Sequence, residues 1–292
     1  MNQNELAIDI DIGGTKIKCG IVDEFGCIHA NPRSIQTEAT GPRERIVSNI
    51  LGLVDKVISG IPERKVKGIG IGCTGPLADG VILECNNLPT MHNYPLQHIV
   101  ETTTGRVVRM DNDANAMIYG EAIWGVGRGR KNILGFTIGT GLGCAIISDG
   151  KIYHGHTCNA GEIWQSPYHD GNIEDYASGK GLTNIFYRLT GQVTDGNDIA
   201  ALARKGNRQA IATFDEFSDA LTYAMAWAIN VVDPEVVIIG GSVVRSADLF
   251  LDNVKKRLAK FITRQAAEQL EILPAQLEEN AGFMGAAALM FQ

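Results

Sequence analysis

Leu6-Ala-Ile-Asp-Ile-Asp-Ile-Gly-Gly-Thr-Lys-Ile-Lys-Cys-Gly-Ile-Val-Asp23 decides how the chain is read. Leu6 to Ile12 is apolar enough for a buried strand. Gly13 and Gly14 permit positive φ and predict a turn, after which Ile17, Cys19 and Ile21 alternate with more polar neighbours as a returning strand. The plan recurs in Asn132 to Gly150: Phe136-Thr-Ile-Gly-Thr-Gly-Leu-Gly143 supplies strand and tip, and Cys144 to Ile147 the return. Placing Ile12 on Ile138 puts Gly13 on Gly139, Cys19 on Ala145, Ile21 on Ile147 and Asp23 on Asp149. A match spaced nearly half a chain apart predicts two domains of related topology rather than a short-period solenoid.

Outward from the first hairpin, Ile46, Ile50, Leu53 and Val57 predict one face of a helix over Arg43 to Ile58, leading into a strand from Val66 to Ile71. Beyond the second hairpin the pattern turns mainly helical. Thr213-Phe-Asp-Glu216 reads as a capping box opening a helix with Phe214, Phe217, Leu221, Ala224 and Ala228 on its core stripe. Asp233-Pro234 stops it, and Val236 to Ile239 is a short strand running into Gly240-Gly241-Ser242. Strands alternating with helices and hairpins make the class α/β.

The chain has 292 residues, with 26 Lys plus Arg against 33 Asp plus Glu, a formal charge of −7. That balance argues against sequence-independent nucleic-acid binding, which needs excess cations to neutralise phosphates. No apolar run is long enough for a membrane span, and Met1 to Glu5 is a polar start without a signal-peptide core, so a soluble, cytoplasmic protein is expected. The six Cys show neither a C-x-x-C pair nor metal spacing with His, and reduced thiols follow.

In Asp11-Ile-Gly-Gly-Thr-Lys16, amides of Gly13 and Gly14 can converge on an anion, with the Thr15 hydroxyl and Lys16 beside them, and Asp11 could hold a hydrated Mg²⁺. The plain alternative is a hairpin turn with a solvent-facing Asp. The second tip, Gly139-Thr140-Gly141-Leu-Gly143, favours a polyphosphate clamp. Gly70-Ile-Gly72-Cys-Thr-Gly75 formally fits a dinucleotide fingerprint, but Pro76 and the turn Asp79-Gly80 follow where a helix must open. A Walker A loop is absent.

Asp111-Asn112-Asp113 stands at a strand-to-helix junction. Asp111 there is either an N-cap or functional, whereas Asp113 suits a base for an attacking hydroxyl beside a bound polyphosphate. Glu162 and Glu174 flank a segment containing Pro167 and Gly171 that can return and bring both acids to one polyol, or leave them as solvated loop acids. His154 and His156 read as loop histidines, and Trp124, Trp164 and Trp227 as packing.

With these segments in this order, the chain resembles the ROK (repressor, open reading frame, kinase) family of sugar kinases, within the actin, hexokinase and Hsp70 superfamily. The matching elements are Asp11 to Thr15, Gly72-Cys-Thr-Gly-Pro76, Asn86-Asn-Leu-Pro89, Asn112-Asp-Ala114, Ile138 to Gly143, Ala160-Gly-Glu-Ile163, Glu174 with Ser178-Gly179, and Ile239-Gly-Gly-Ser242. The resemblance implies two actin-like (ribonuclease H-like) domains, residues 1–114 plus 280–292 and residues 115–279. It implies ATP with Mg²⁺, phosphates at the Gly13 and Gly139 tips, and Gly240, Gly241 and Ser242 toward the adenosine. It implies a hexose held by Gly75, Asn87, Asn112, Glu162, Gln165 and Glu174, with Asp113 as base toward the 6-hydroxyl. Glucose or a near epimer comes first, an N-acylhexosamine such as N-acetylmannosamine second, and a non-catalytic sugar-binding regulator third; a homodimer is consistent with the family.

Two departures stand out. Gln165 and Trp164 occupy the His and Gly of the family's Gly-Glu-x-Gly-His element, and His169-Asp170-Gly171-Asn172 replaces its Cys-rich run. No structural zinc is therefore expected, with Tyr168, Trp164 and Tyr176 packing that loop instead. Asp9 is also unusual, an acid in a strand that should be mostly apolar.

Overall fold

The computed structural model describes residues 4–59, 61, 66–277 and 281–292. Residues 1–3 of the polar start, and residue 280, the first of the stretch 280–292 expected to join the first domain, lie outside them. The chain divides into two compact units. One takes the described residues of Met1–Gly129, His154–Asn159 and Gln276–Gln292, and the other takes Arg130–Tyr153 and Ala160–Ala275.

The chain begins with β1 (Leu6–Ile12), β2 (Lys16–Asp23), β3 (Ile28–Gln36), α1 (Arg43–Ile58) and β4 (Val66–Cys73). Then come β5 (Leu77–Ala78), β6 (Val81–Ile82), α2 (Leu96–Thr104), β7 (Val108–Asn112) and α3 (Asp113–Trp124). The second unit adds β8 (Ile133–Ile138), β9 (Leu142–Ser148), β10 (Lys151–Ile152), β11 (Pro167–Tyr168), β12 (Gly171–Asn172), α4 (Gly179–Thr190), α5 (Gly196–Arg204) and α6 (Arg208–Val232). It continues through β13 (Val236–Gly240), α7 (Ala247–Leu258), α8 (Arg264–Gln269) and β14 (Glu271–Pro274), after which α9 (Ala281–Ala288) belongs to the first unit.

The two main sheets repeat one plan. Strand order is β3-β2-β1-β4-β7 in one and β10-β9-β8-β13-β14 in the other, with the first three strands antiparallel and the remaining pairings parallel. The duplication read in the hairpins is thus a duplication of topology, with one correction. Ile12 pairs with Ile17 across Gly13 to Lys16, but Ile138 pairs with Leu142 across only Gly139 to Gly141. The second tip is one residue shorter, so Cys19, facing Ile10, matches Cys144, facing Phe136, and not Ala145.

In the first unit Leu6, Ile8, Ile10 and Ile12 point to the face covered by α1, whose Ile46, Ile50, Leu53 and Val57 are all buried. The opposite face is kept shallow so that α9 can approach. A Cβ on Gly70 would lie 1.8 Å from the Ala286 carbonyl oxygen, and one on Gly20 2.3 Å from the Phe283 ring. Asp9 is on this face and fully buried. Its Oδ2 accepts the Ala287 N–H at 2.6 Å, its Oδ1 has no hydrogen-bond partner, and burial pushes its carboxyl well above the ordinary range against the pull of that amide. The Ala287 N–H on Oδ2 ties helix to sheet and gives this acid a place in an apolar strand.

α3 packs on α9 with almost no side chain between them, since a Cβ on Gly285 would lie 2.3 Å from the Ala116 carbonyl oxygen. The first unit therefore runs past residue 114 to Gly129. At the far end of α3, buried Glu121 accepts the Leu277 N–H at 2.7 Å and the Val126 N–H at 3.1 Å. Glu121→Gln turns an amide donor toward one of these N–H groups, and a loss of about 1–3 kcal/mol is expected in urea unfolding.

In the second unit α6 begins at Arg208, capped by the Asn207 side chain on Ala210 N, so Thr213 does not open a helix. Already inside it, Thr213 donates its hydroxyl to the Gln209 carbonyl at 2.9 Å. Phe214, Phe217, Leu221 and Ala224 are buried in the core as the stripe requires, and Ala228 packs at its margin. Trp227 departs from its packing role: it is 64% exposed on α6, next to Tyr223. Among the described residues no helix is long and apolar enough to cross a membrane.

Candidate active site

In the first unit the candidate residues gather at the carboxyl ends of β1, β4 and β7. Asp11 pairs with Gly72, and Asn112 with Cys73, so adjacent parallel strands deliver the Asp11 tip, the Thr74-Gly75 turn and the head of α3 side by side. After Cys73 the chain turns into the β5–β6 hairpin through Asp79 and Gly80, both at positive φ, and the next α-helix starts at Leu96. No helix opens over Gly70 to Gly75, which removes the dinucleotide reading.

Asn112 caps α3, its Oδ1 accepting Ala114 N at 2.9 Å, while its Nδ2 donates to the Gly75 carbonyl at 3.1 Å. The capping role weighed for Asp111 thus falls to its neighbour. Gly75 needs its glycine, with φ of 96° and a Cβ that would meet the Glu84 carbonyl oxygen at 2.6 Å. Asn87 donates to the Thr74 hydroxyl at 3.2 Å and faces Gly14, where a Cβ would be 3.1 Å from the Asn87 Cβ. Asn87 thus lies against Gly14, and the Thr74-Gly75 turn it binds is tied in turn to Asn112, the residue before Asp113.

Asp113 is exposed by surface area yet surrounded by dense protein. That desolvation first, then the negative charge of Asp11, pushes its carboxyl up to about 6, against the Ala114 N–H. Burial likewise raises the Asp11 carboxyl, opposed by Lys18. The Asp11 carboxylate at the end of β1 is a hard oxygen donor of the kind Mg²⁺ takes, and a cation there would offset the burial that disfavours its charge.

The tips differ from expectation in how they use glycine. Neither Gly13 and Gly14 nor Gly139 and Gly141 has positive φ; what Gly14 and Gly141 supply is space. The Gly13 N–H bonds the Lys16 carbonyl at 3.1 Å and the Gly139 N–H bonds that of Gly141 at 3.0 Å. The side chains of Thr15, Lys16 and Thr140 are exposed at the tips.

In the second unit the Gly139 tip is braced from three sides. The Gly139 carbonyl accepts Gly179 N at 2.8 Å, and Glu174 Oε2 accepts Leu142 N at 2.8 Å, beside Gly141. Gly241, at φ of 88°, would place a Cβ 2.4 Å from the Ile138 carbonyl oxygen, so Gly240 to Ser242 lies at the foot of the tip. Gly161 packs against the Cys144 carbonyl, just past Gly143. The segments carrying Glu162 and Glu174 thus reach Cys144 and Leu142 of one strand, as their spacing allows. Trp164 donates its indole N–H to Glu162, and Gln165 is exposed at the end of the same short turn. Tyr168 and Tyr176 meet edge to face at 5.2 Å over the β11–β12 hairpin.

Sequence reading missed one contact. His154 Nε2 lies 2.7 Å from Asp111 Oδ2, so this histidine is not a loose loop residue. No periodic signal marks a bond between positions 43 apart.

Residues 7–292 match the model of the ROK family. The chain is 28% identical to the glucokinase of Thermotoga maritima, with 97% of this chain and 96% of the relative aligned. It is 29% identical to the N-acetyl-D-glucosamine kinase of Photobacterium profundum, over 96% and 97% of the two chains. The crystal structure of the ROK glucokinase from Streptomyces griseus in complex with glucose and AMPPNP aligns over 97% of this chain and 98% of that one, with 31% identity and a TM-score of 0.81. With duplicated sheets, paired glycine tips and this match along nearly its whole length, the chain belongs to the ROK family of sugar kinases.

Proposed function

We propose that the chain transfers the γ-phosphate of ATP to the 6-hydroxyl of a hexose, D-glucose or a near epimer first. The observation that carries this reading is Asp113, a carboxyl raised to about 6 by burial and by the charge of Asp11, at the head of α3 beside Asn112, whose amide holds the Gly75 carbonyl. A base poised near neutral pH takes a hydroxyl proton more readily than an ordinary carboxylate and is still ionised at pH 7. Asn87, Asn112, the Gly75 backbone, Glu162, Gln165 and Glu174 hold the sugar. Asp11, Gly13, Gly14, Thr15 and Lys16, with Gly139, Thr140, Gly141 and Gly143, receive the phosphates, and Gly240, Gly241 and Ser242 the adenosine. Asp11 would hold Mg²⁺ through water; when bound, the ion neutralises charge on the phosphate oxygens. No structural zinc is part of this reading.

An N-acylhexosamine, N-acetylmannosamine among them, is the second substrate class. It is supported by the N-acetyl-D-glucosamine kinase relative. Coupled ADP release with Mg-ATP across hexoses, hexosamines and N-acylhexosamines tests both. Turnover of one sugar names the class, and binding without turnover of any would make the chain a sugar-binding regulator.

A further inference from the structure

The segment His154–Asn159 belongs to the first unit although the chain on either side of it belongs to the second. Asp111, at the end of β7, is 6% exposed, and both its oxygens are engaged. Oδ1 accepts the Asn112 N–H and the Asn115 side-chain amide, each at 2.8 Å, and Oδ2 faces His154 Nε2 at 2.7 Å. An ionised carboxylate only accepts, so His154 Nε2 carries the proton. The bond to Asp111 raises the His154 pKa above its ordinary value, favouring the charged ring. One buried carboxylate thereby joins the end of β7, the first turn of α3 and the 154–159 segment. Asn112 and Asp113 lie inside that knot, and Ala160-Gly161-Glu162 follows the segment directly.

We propose that His154 is a positioning residue: through Asp111 it fixes Asn112 and Asp113 at the head of α3 and anchors the segment that leads into Glu162. Its effect on catalysis rests on the kinase reading; the anchoring itself does not. His154→Ala and His154→Gln in the full chain test it, with turnover, calorimetric binding of D-glucose and N-acetyl-D-glucosamine, and amide hydrogen exchange. His154→Ala is expected to weaken sugar binding and turnover by at least about tenfold each, since small misplacements of reacting groups are costly. Exchange should quicken at residues 112–115 and 155–159. His154→Gln, whose amide still donates to Asp111, should restore both activities to within about threefold, a rescue that general loss of stability would not give.

Wild-type-like binding and unaltered exchange in His154→Ala would overturn the proposal. If wild type binds neither sugar, the kinase reading falls while the exchange comparison still decides the anchor. If His154→Ala does not fold, the wild-type His154 Nε2–H proton resonance decides: a slowly exchanging, downfield signal is expected, and its absence counts against the bond.

Discussion

Asp113→Asn is expected to lower turnover by about 10²–10⁴-fold, the usual contribution of a general base, while sugar binding stays within a few fold. Asn keeps the shape of the side chain and an oxygen for the Ala114 N–H, which Asp113 Oδ1 accepts at 2.9 Å, but it cannot take the hydroxyl proton. The same residue sets a pH dependence. With its carboxyl at about 6, kcat/KM for wild type should rise with pH through that value and level off above it, and the residual activity of Asp113→Asn should lack this limb. Stability moves oppositely. A carboxyl raised from 3.8 to about 6 by folding favours the folded state below 3.8, and that contribution is lost as pH rises through 6. Asp113→Asn is therefore expected to unfold at a higher temperature than wild type at about pH 7.5, above the titration of that carboxyl. Coupled ADP release on both sides of this titration and a thermal melt read both; full turnover in the variant would remove Asp113 from the chemistry.

Phe283→Ala should produce the largest loss of stability, about 3–5 kcal/mol, as for a fully buried ring. Phe283 is 1% exposed and packs with Ala7, Val22, Met284, Ala287 and Met290 between α9 and the sheet. Its ring fills the space that Gly20 leaves, and the surrounding backbone cannot collapse into it because Gly70 already touches the Ala286 carbonyl. Urea unfolding measures the change, and a loss under about 1 kcal/mol would mean that the site closes over the missing ring.

What the sequence discloses is what repeats or alternates. The twin hairpins and the α1 stripe repeat or alternate, the strand before Gly240 is an unbroken apolar run, and such patterns survive folding. Asp113 could be singled out as a candidate base because it stands at a strand-to-helix junction, past the capping residue, in a chain with two glycine tips. Features that depend on a distant partner could not be. Asp9 becomes intelligible only when Ala287, 278 positions away, supplies its N–H. His154 looked idle until Asp111 met it, and Thr213 imitated a cap because the true one, Asn207, lies more than a turn earlier in a longer helix. At Gly14 and Gly141 the room is taken by Asn87 and Glu174, and none of Gly13, Gly14, Gly139 and Gly141 takes the positive φ that was expected.

Because α9 is made after the second unit and seals the first sheet, synthesis itself imposes an order on folding. A nascent chain exposes β1, β2 and β4 with a bare glycine-lined face, and at about 5–20 residues per second the cover arrives on the order of ten seconds or more later. The second unit, contiguous apart from the short 154–159 excursion, can finish while the first still waits. A ribosome stalled or a message cut near residue 275 would release a polypeptide whose second half is complete and whose first half carries an open, adhesive sheet, a natural client for chaperones and proteases.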